Sequence, residues 1–356
     1  MNIQKTKFDS YCLRQRTSPL TKSSKSQFNG FAEGCKYCVK GEKLVLFMTG
    51  ICKRGCWYCS LSKKRKNQNE ILANERECKN IREVIQEVKD SNATSAGITG
   101  GDPLLCLNKT IEYASALKKE FGKKFHIHIY LTTQFVTKDK LQRLSKCVDE
   151  VRFHPSFLVK ENEKEEDAEK IKLAKSIFGI SNVGIEMPMI PEKKREIFDF
   201  ILRIEKDISF VNLNEFELSE TNFSQITKKY TLKEGGYVVS GSLEAGKWIL
   251  NELSKRKTKL KVHLCTADLK NHSQFVNRLK KHKIFKYGKR TEDGTVIYLV
   301  VNKKLNLEGT IYDEKKKRTI LSEEIARKLL TFGKEKIIRV EEYPTYDRIE
   351  VEEEEL

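Results

Sequence analysis

The sequence predicts an α/β fold in which helical crossovers connect the strands of a parallel sheet. Short apolar, β-branched segments alternate with longer amphipathic ones along residues 43–265, a pattern typical of repeated βα units. At least six repeats are present, enough for a partial TIM-type (β/α)6 barrel. The 356-residue length suits one large domain with appendages or two domains. We divide the chain into an N-terminal extension (1–42), a barrel core (43–265) and a C-terminal α+β appendage (266–356).

Seven segments carry the strand pattern and six carry the helix pattern. The predicted strands cover residues 44–48, 95–99, 126–131, 150–153, 183–187, 210–213 and 261–264. The predicted helices lie near residues 81–89, 109–121, 138–146, 168–178, 194–204 and 244–255. Active sites of such barrels form at the carboxyl ends of the strands, so we expect the functional residues there.

Three cysteines follow the first predicted strand in a C-x3-C-x2-C loop: Cys52, Cys56 and Cys59. This spacing can turn three thiolates toward one point, and soft sulfur ligands suit an iron–sulfur cluster. Three ligands leave one iron of a four-iron cluster open, and an open position distinguishes reactive metal sites from structural ones. Structural zinc and chance clustering of buried cysteines are the weaker alternatives.

The second predicted strand ends in the glycine turn Gly100-Gly101-Asp102-Pro103. Paired glycines let the backbone approach a ligand closely and leave carbonyl groups free to hold an ammonium group. Such a turn alone commonly connects two secondary-structure elements and has no functional role. Because it follows the cysteine loop by one helix-length segment, we interpret it as functional.

The cysteine spacing, with an aromatic residue (Tyr58) just before the last cysteine, resembles the signature of the radical S-adenosylmethionine (radical SAM) superfamily. Segments 34–38, 46–52, 98–104 and 212–217 are also similar to an uncharacterised archaeal-type group described as related to pyruvate formate-lyase activating enzymes. The resemblance covers roughly residues 43–265. It implies the partial barrel of the radical SAM kind.

The resemblance also implies the chemistry and its cofactors. The three loop cysteines would hold a 4Fe–4S cluster whose open iron binds S-adenosylmethionine, and an electron from the cluster would release a 5′-deoxyadenosyl radical that abstracts hydrogen from a substrate. A donor such as ferredoxin or flavodoxin would supply the electron. Tyr58 would pack near the adenine. Gly100, Gly101 and Asp102 would contact S-adenosylmethionine, with Asp102 standing where the family usually has Glu.

Polar residues near the other strand ends form a candidate pocket lining. The sixth strand is the most unusual, because the strand period of two points Asn212 and Asn214 to one face, toward the barrel mouth. For each such residue alone, a role in the pocket and an ordinary hydrogen-bonded position in a loop are equally good interpretations. As a set, the candidate lining for the cofactor is Thr133, Arg152, His154, Glu186, Asn212 and Asn214.

A second cysteine group lies in the extension, where Cys35 and Cys38 form a C-x2-C knuckle before the first strand. Such a pair supplies half of a metal site and needs further ligands. Cys12 and Cys265 could provide them if the chain ends meet. We favour an auxiliary metal here, zinc or a second iron–sulfur cluster, over free cysteines.

Other ligand-type residues are interpreted as structural. His126 and His128 share one face of a predicted strand, but two histidines are too few for a metal site. We expect them to form hydrogen bonds in the core. The remaining cysteines fit helix or core positions: Cys78, Cys106 and Cys147.

The chain carries a formal net charge of +18, which is spread unevenly. Residues 1–68 hold 15 Lys plus Arg and three Asp plus Glu, including the basic run 63–66 directly after the cysteine loop. Such an excess attracts polyanions through counterion release. A lysine-rich surface with no nucleic-acid partner gives the same count. The run beside the loop favours RNA.

We therefore expect a radical SAM enzyme that modifies a nucleotide in RNA, with transfer RNA favoured. A radical SAM activase or a peptide- or protein-modifying enzyme is one alternative, and a non-catalytic zinc-dependent RNA-binding module is another. Residues 1–20 lack the apolar core of a signal peptide, and no segment has the roughly 18 apolar residues of a membrane span. We expect a cytoplasmic protein, whose ten cysteines favour metal binding or catalysis over disulfides.

The appendage has a different pattern. Strands are predicted at 296–302 and 337–340, with a helix at 323–330 between them. Residues 340–356 are rich in glutamate and are predicted to form a solvated acidic tail.

Overall fold

The computed structural model describes residues 26–234, 236–333 and 335–356. Cys12, suggested above as an auxiliary metal ligand, lies outside the described residues. The first sheet has ten strands: β1 (Gln27–Phe28), β2 (Lys43–Phe47), β3 (Leu72–Ala73), β4 (Arg76–Glu77), β5 (Ser95–Thr99), β6 (His126–Thr132), β7 (Glu150–His154), β8 (Val183–Pro188), β9 (Phe210–Asn214) and β10 (Lys261–Cys265). All seven predicted strands are among them, each end within one residue of the prediction.

Seven of these strands are parallel and hydrogen-bonded in the order β2, β5, β6, β7, β8, β9 and β10. Antiparallel β3 and β4 extend the β2 edge, and antiparallel β1 extends the β10 edge. The strand order therefore ends at β1 and β4 without closing. This open, curled arrangement is the partial TIM-type barrel that the sequence predicts.

Helices form the crossovers, and all six predicted ones are present. The barrel helices are α1 (Glu33–Val39), α2 (Ile81–Ser91), α3 (Leu107–Phe121), α4 (Lys138–Leu144), α5 (Lys164–Phe178), α6 (Lys194–Ile204), α7 (Phe223–Lys229) and α8 (Ser242–Ser254). Side chains fix some of their starts. Asn80 accepts the backbone N–H groups of Arg82 and Glu83 before α2, and Thr137 accepts that of Lys140 in α4.

Apolar and polar residues alternate along the strands of the barrel. Ile127, Ile185 and Val211 are fully buried in one apolar cluster that includes helix residues such as Leu117 and Ile171. Each such side chain contributes about 1.5–3 kcal/mol through its burial. The intervening strand positions point into the barrel, and they include the polar residues His128, Arg152, Glu186, Asn212 and His263.

Helix α1 packs against this polar inner face. The Gly34 N–H donates to the Glu150 carboxylate at 3.2 Å. A Cβ atom on Gly34 would lie 2.4 Å from the His128 ring, so glycine is needed for this close approach. Residues 26–42 are therefore built into the barrel through α1 and β1. The boundary between residues 42 and 43 stays a prediction.

The C-terminal part forms a second, antiparallel sheet. Its strands are β11 (Lys289–Arg290), β12 (Val296–Val301), β13 (Thr310–Asp313), β14 (Arg318–Leu321), β15 (Ile338–Glu342) and β16 (Glu350–Glu355). A π-helical segment, Leu269–Phe275, continues into α9 (Val276–Lys281), and α10 (Glu323–Phe332) follows β14. The predicted strands and helix are present, whereas β11, β13, β14 and β16 were not predicted. The boundary between residues 265 and 266 stays a prediction.

The prediction of an acidic tail is wrong for residues 350–355. These residues form β16, which pairs antiparallel with β15 at the edge of the second sheet. Strand pairing uses backbone groups, so glutamate side chains do not prevent it, and here Glu352 pairs with Arg339 at 2.9 Å. None of the helices in the described part of the chain has the length and apolar content of a membrane-spanning segment.

Candidate active site

The three-cysteine loop follows β2 and closes on itself. The Gly50 N–H donates to the Gln68 carbonyl at 2.7 Å, and the Asn67 N–H donates to the Gly50 carbonyl at 2.9 Å. Both ends of segment 50–68 are therefore held together at the carboxyl end of β2. The loop presents three partly exposed thiols, which we call the loop triad: Cys52, Cys56 and Cys59.

Arg54 fastens this loop to the end of β7. Its guanidinium donates to the backbone carbonyls of His154, at 2.5 Å, and Pro155. The Arg54 side chain is only 9% exposed. The sequence analysis missed this residue, because an arginine between two cysteines reads as part of the basic surface.

A polar segment after β9 holds the other side of the loop. The buried amide of Asn222 donates to the carbonyls of Tyr58, at 3.2 Å, and Glu217, at 3.1 Å. The Thr221 hydroxyl donates to the Cys59 carbonyl at 2.9 Å. The sequence analysis missed both residues, since no local signal separates Ser-Glu-Thr-Asn from an ordinary polar loop.

Tyr58 and His154 form a hydrogen-bonded link from the loop to the barrel. The His154 Nδ1 atom lies 3.0 Å from the Glu186 backbone carbonyl, and its Nε2 atom lies 2.9 Å from the Tyr58 hydroxyl. The carbonyl can only accept, so Nδ1 carries the proton and Nε2 accepts from Tyr58. Burial and the nearby Arg54 charge lower the pKa of His154 to about 3, which keeps the ring neutral.

The paired glycines pack directly against the base of the cysteine loop. Gly101 N–H donates to the Thr49 carbonyl at 2.6 Å. Gly100 has a φ of +149°, and a Cβ atom there would lie 2.5 Å from the Thr49 carbonyl oxygen. A Cβ atom on Gly101 would lie 2.2 Å from the Ile51 carbonyl oxygen. The glycines are therefore required by the close approach of two backbone segments.

Asp102 is fully buried and turned into the protein. One carboxylate oxygen accepts the Leu104 N–H at 2.9 Å, and the other accepts the Thr132 hydroxyl at 2.5 Å. Burial raises the pKa of this carboxyl group. The structure thus gives Asp102 a part in fixing the glycine turn to β6, which differs from the direct cofactor contact that the resemblance implies.

Thr133 is also buried and bound within the protein. Its hydroxyl lies 2.9 Å from the Ser156 hydroxyl and donates to the Asp167 carboxylate, which also accepts the Phe157 N–H at 2.8 Å. Thr133 therefore connects β6 to the segment after β7. Asp167, a helix residue with no distinguishing sequence signal, was not predicted.

The remaining predicted lining residues meet in one network inside the barrel. Glu186 accepts from Arg152 at 3.2 Å, Asn212 at 3.0 Å and Asn214 at 2.8 Å. Burial alone would raise the pKa of Glu186, but the Arg152 charge and the two amide donors outweigh it, so the pKa lies below its ordinary value. Arg152 also contacts Glu150 at 2.5 Å, so the buried cation lies between two carboxylates.

Comparison with known proteins identifies the family. A family model described as the radical SAM superfamily matches residues 46–204. A curated protein of Methanocaldococcus jannaschii, named "Putative glycyl-radical enzyme activating enzyme MJ0021", is 38% identical over 288 residues, covering 78% of this chain and 75% of that protein. The chain belongs to the radical SAM superfamily.

Two solved structures of the radical SAM methyltransferase TsrM from Kitasatospora setae were also matched. The one with tryptophan and a SAM analogue bound has a TM-score of 0.37 and 10% identity, covering 55% of this chain and 40% of that chain. The one with cobalamin and a [4Fe-4S] cluster bound has a TM-score of 0.36 and 10% identity, covering 68% of this chain and 52% of that chain.

The loop triad fits the cluster that radical SAM enzymes use. In the described residues, the one set of three ligating groups within 4.8 Å of one another is His126, His128 and Glu150. The three loop thiols, each partly exposed, would each bind a different iron of a 4Fe–4S cluster and leave the fourth iron open. Burial raises the pKa of the Cys52 and Cys56 thiols, so iron must displace their protons. The bound cluster supplies the electron that cleaves S-adenosylmethionine.

The two histidines of β6, His126 and His128, do not form all of the predicted hydrogen bonds. Neither ring nitrogen of His128, nor the Nε2 atom of His126, has a hydrogen-bond partner among the described residues. His128 lies between glycines, since Cβ atoms on Gly34 and Gly97 would approach its nitrogens to 2.4 and 2.6 Å. Backbone rather than open space therefore surrounds its nitrogens, and we assign no metal to this group.

The second cysteine group is assembled by the fold, with one correction. Cys35 and Cys38 lie on helix α1, three residues apart on one face, and do not form a knuckle loop. A knuckle was wrong because both cysteines lie within the seven-residue helix Glu33–Val39, which begins before Cys35 and ends one residue after Cys38. Cys265 ends β10. These residues line one cavity, and we call them the barrel triad: Cys35, Cys38 and Cys265.

Proposed function

We propose that this radical SAM enzyme acts on a protein, as an activating enzyme that abstracts a hydrogen atom from a glycine Cα of its substrate. The relative that is 38% identical over 78% of this chain, named as a glycyl-radical enzyme activating enzyme, carries the proposal. The 5′-deoxyadenosyl radical takes one hydrogen atom, so the products are 5′-deoxyadenosine and a glycyl radical in the substrate. Among the sequence hypotheses, this alternative replaces RNA modification as the first choice.

The shape of the barrel supports a substrate that is reached at the mouth. Helix α1 packs on the inner face, and the cavity beside it measures about 200 Å³. Pockets for small-molecule ligands begin at roughly 300 Å³, so this cavity is too small to enclose one. A polypeptide loop can present a single Cα at the mouth without entering the barrel.

The contacts of the residues at the mouth support the following roles. In this proposal the loop triad holds the 4Fe–4S cluster, and the Gly100–Gly101 backbone meets the ammonium group of S-adenosylmethionine. Asp102 and Thr133 position this turn and the adjoining strand ends through hydrogen bonds. Tyr58 and His154 form the wall beneath the adenine. Glu186, Arg152, Asn212 and Asn214 form the polar floor between the mouth and the cavity.

Some of the positive charge outside the basic run 63–66 is paired with carboxylates. Arg278 pairs through two nitrogens with Glu75, and Lys118 pairs with Asp149 at 2.6 Å. Such pairing favours the alternative of a lysine-rich, salt-bridged surface. No comparison supports an RNA substrate. Membership of an enzyme family also removes the non-catalytic zinc module.

The chemistry requires an electron from outside the chain. A small low-potential carrier such as ferredoxin or flavodoxin is the class of donor that we propose. The nine cysteines in the described residues are all unpaired, which suits a reducing compartment such as the cytoplasm.

Isotope transfer tests the substrate class directly. Cells of the source organism are grown with glycine deuterated at Cα, and their soluble protein is mixed anaerobically with reconstituted enzyme, S-adenosylmethionine and dithionite. We expect deuterium in the 5′-deoxyadenosine and a glycyl-radical signal by electron paramagnetic resonance. The Cys56→Ser variant is the control and should give neither.

A parallel reaction contains RNA from the same cells, labelled with deuterated nucleosides. Deuterium transfer from that RNA, with none from the glycine-labelled protein, would refute the proposal and restore the RNA hypothesis. Formation of unlabelled 5′-deoxyadenosine in both reactions would also contradict a glycyl substrate.

A further inference from the structure

The barrel triad converges from two elements on one polar cavity. Cys35 and Cys38 come from α1 and Cys265 from the end of β10, and all three line the same cavity of about 200 Å³. The wall also includes His263, two positions before Cys265 on the same strand, so both side chains point inward. Cys35 also packs against the small apolar cluster formed with Ala32 and Phe210.

The surroundings of these thiols differ from those of a packing cysteine. Cys35 Sγ lies 3.4 Å from the Arg152 guanidinium and 3.5 Å from the Asn212 amide oxygen. The Gln274 side chain lies between the other two thiols, with its oxygen 3.0 Å from Cys38 Sγ and its nitrogen 3.6 Å from Cys265 Sγ. By contrast, buried Cys147 contacts a backbone carbonyl of its own turn and joins the apolar core.

An independent observation points to a missing ligand in this cavity. His263 is 2% exposed, and neither of its ring nitrogens has a hydrogen-bond partner among the described residues. Buried polar atoms are nearly always satisfied by protein, water or an ion, so an unpartnered ring beside three thiols needs an explanation. A metal centre in the cavity would provide one.

Most of the charges that line the cavity are paired with one another. Lys43, Arg152 and Lys270 all line the cavity. Glu186 and Glu150 pair with Arg152, and Glu217 pairs with Lys270 at 2.6 Å. Lys43 makes no ion pair with a carboxylate in the described part of the chain, and its ammonium group interacts with Cys38. Lys43 therefore adds a positive charge beside the barrel triad that no carboxylate in the described residues pairs with, and this charge would stabilise an anionic cluster.

We propose that the barrel triad binds a second iron–sulfur cluster inside the barrel. The Gln274 amide lies between the Cys38 and Cys265 thiols, so these two sulfur atoms are not placed as neighbouring ligands of one zinc ion. A cluster has several irons and accepts more widely spaced thiolates. His263 is the unpartnered side chain in the cavity that can supply a nitrogen ligand to the remaining iron.

Glu186 separates the two centres. Its carboxylate contacts Arg152 and Asn212, which both touch Cys35, and its backbone carbonyl accepts from His154, the partner of Tyr58. The Glu186 side chain therefore faces the second centre, and its backbone carbonyl faces His154 in the wall of the loop-triad site. A ligand change at one centre is expected to leave the ligands of the other in place.

Iron content and spectroscopy after anaerobic reconstitution test the proposal. The wild-type protein should hold about eight iron atoms per chain, and the Cys52→Ser/Cys56→Ser/Cys59→Ser variant should hold about four. Adding Cys35→Ser and Cys38→Ser to that variant should remove the rest. Adding Cys78→Ser and Cys147→Ser instead is the matched control and should leave the four in place.

Addition of S-adenosylmethionine provides a second readout. It should alter the electron paramagnetic resonance signal of the loop-triad cluster, which has the open iron, and leave the second signal unchanged. The Cys35→Ser/Cys38→Ser variant should retain the first signal, which shows that it folds. If that variant does not fold, the iron content of the wild-type protein and of the Cys265→Ser variant tests the proposal instead.

Three results would overturn the proposal. The first is about four iron atoms per wild-type chain. The second is a loop-triad variant that contains zinc or no metal. The third is iron that remains after all five substitutions.

Discussion

The loop triad and the barrel triad present the same side chain, the cysteine thiol, but are specified in different ways. The loop triad lies within eight consecutive residues, on a loop whose ends are joined by backbone hydrogen bonds. The barrel triad requires α1 to dock inside the barrel and β10 to complete the parallel sheet. Local spacing therefore brings the loop thiols together, whereas the fold brings the thiols of the barrel triad together. Substitutions that loosen the barrel should affect the barrel triad before the loop triad.

The largest expected effect comes from a loop ligand. Cys56→Ser should reduce the rate of 5′-deoxyadenosine formation by about 10⁴-fold or more, because the step depends on a complete cluster and cannot be shared by other groups. The assay is quantification of 5′-deoxyadenosine by liquid chromatography after reduction with dithionite. Cys78→Ser, in a cysteine distant from both triads, should retain the wild-type rate; equal loss in both variants would contradict the assignment.

Arg152→Leu should produce the next largest effect, on stability. Removing this buried cation leaves Glu150 and Glu186 without their partner, and breaking a buried pair costs about 3–5 kcal/mol. Urea unfolding of the metal-free protein measures the free energy of unfolding. Arg203→Leu, which removes the exposed pair with Glu165, is the matched control and should cost under about 1 kcal/mol. Similar losses in both variants would show that the barrel interior is not the sensitive region.

Asn222→Ala tests how the loop is held against the barrel. Its buried amide bonds to the Tyr58 and Glu217 carbonyls, so its loss should cost about 1–3 kcal/mol. Hydrogen exchange should become faster in segment 56–61 while the α1 region stays protected. The exposed Asn251→Ala is the control, and protection that is unchanged in the Asn222 variant would remove this residue from the loop anchor.

The smallest effect is a pH dependence at His154. Its pKa is about 3 in the folded protein, against an ordinary value of 6.5. As the pH falls below about 6.5, the unfolded chain takes up a proton that the folded ring does not, so stability decreases. His154→Gln should reduce the change in the urea-unfolding free energy between about pH 6.5 and about pH 5.5 by about 1 kcal/mol. Identical slopes would show that the ring is protonated in the folded state.

The contrast between the two triads also explains how far the sequence could be interpreted. The seven parallel strands and six crossovers were found because their apolar periodicity is regular, and the loop triad was found because its signal is contiguous. Arg54, Asn222 and Thr221 were missed because each acts through backbone carbonyls distant in sequence. The role of Asp102 was not predictable for a similar reason, because its partner Thr132 is 30 residues away in sequence and lies on a neighbouring strand.

Two errors arose where side-chain character was taken as a guide to backbone structure. The glutamates of β16 suggested a free tail, yet their backbone completes a sheet. The C-x2-C pair suggested a knuckle, yet helix α1 presents both thiols on one face. In each case a long-range contact, with β15 or with the inner face of the barrel, decided the conformation.

The acidic edge strand has a consequence for the behaviour of the protein at high concentration. An outer strand offers unpaired backbone groups to any other chain, and an uncharged one can template aggregation. In β16 the side chains are nearly all glutamates exposed to water. Two copies that approached through this edge would repel each other strongly, so the second sheet is protected against growth into fibres at neutral pH.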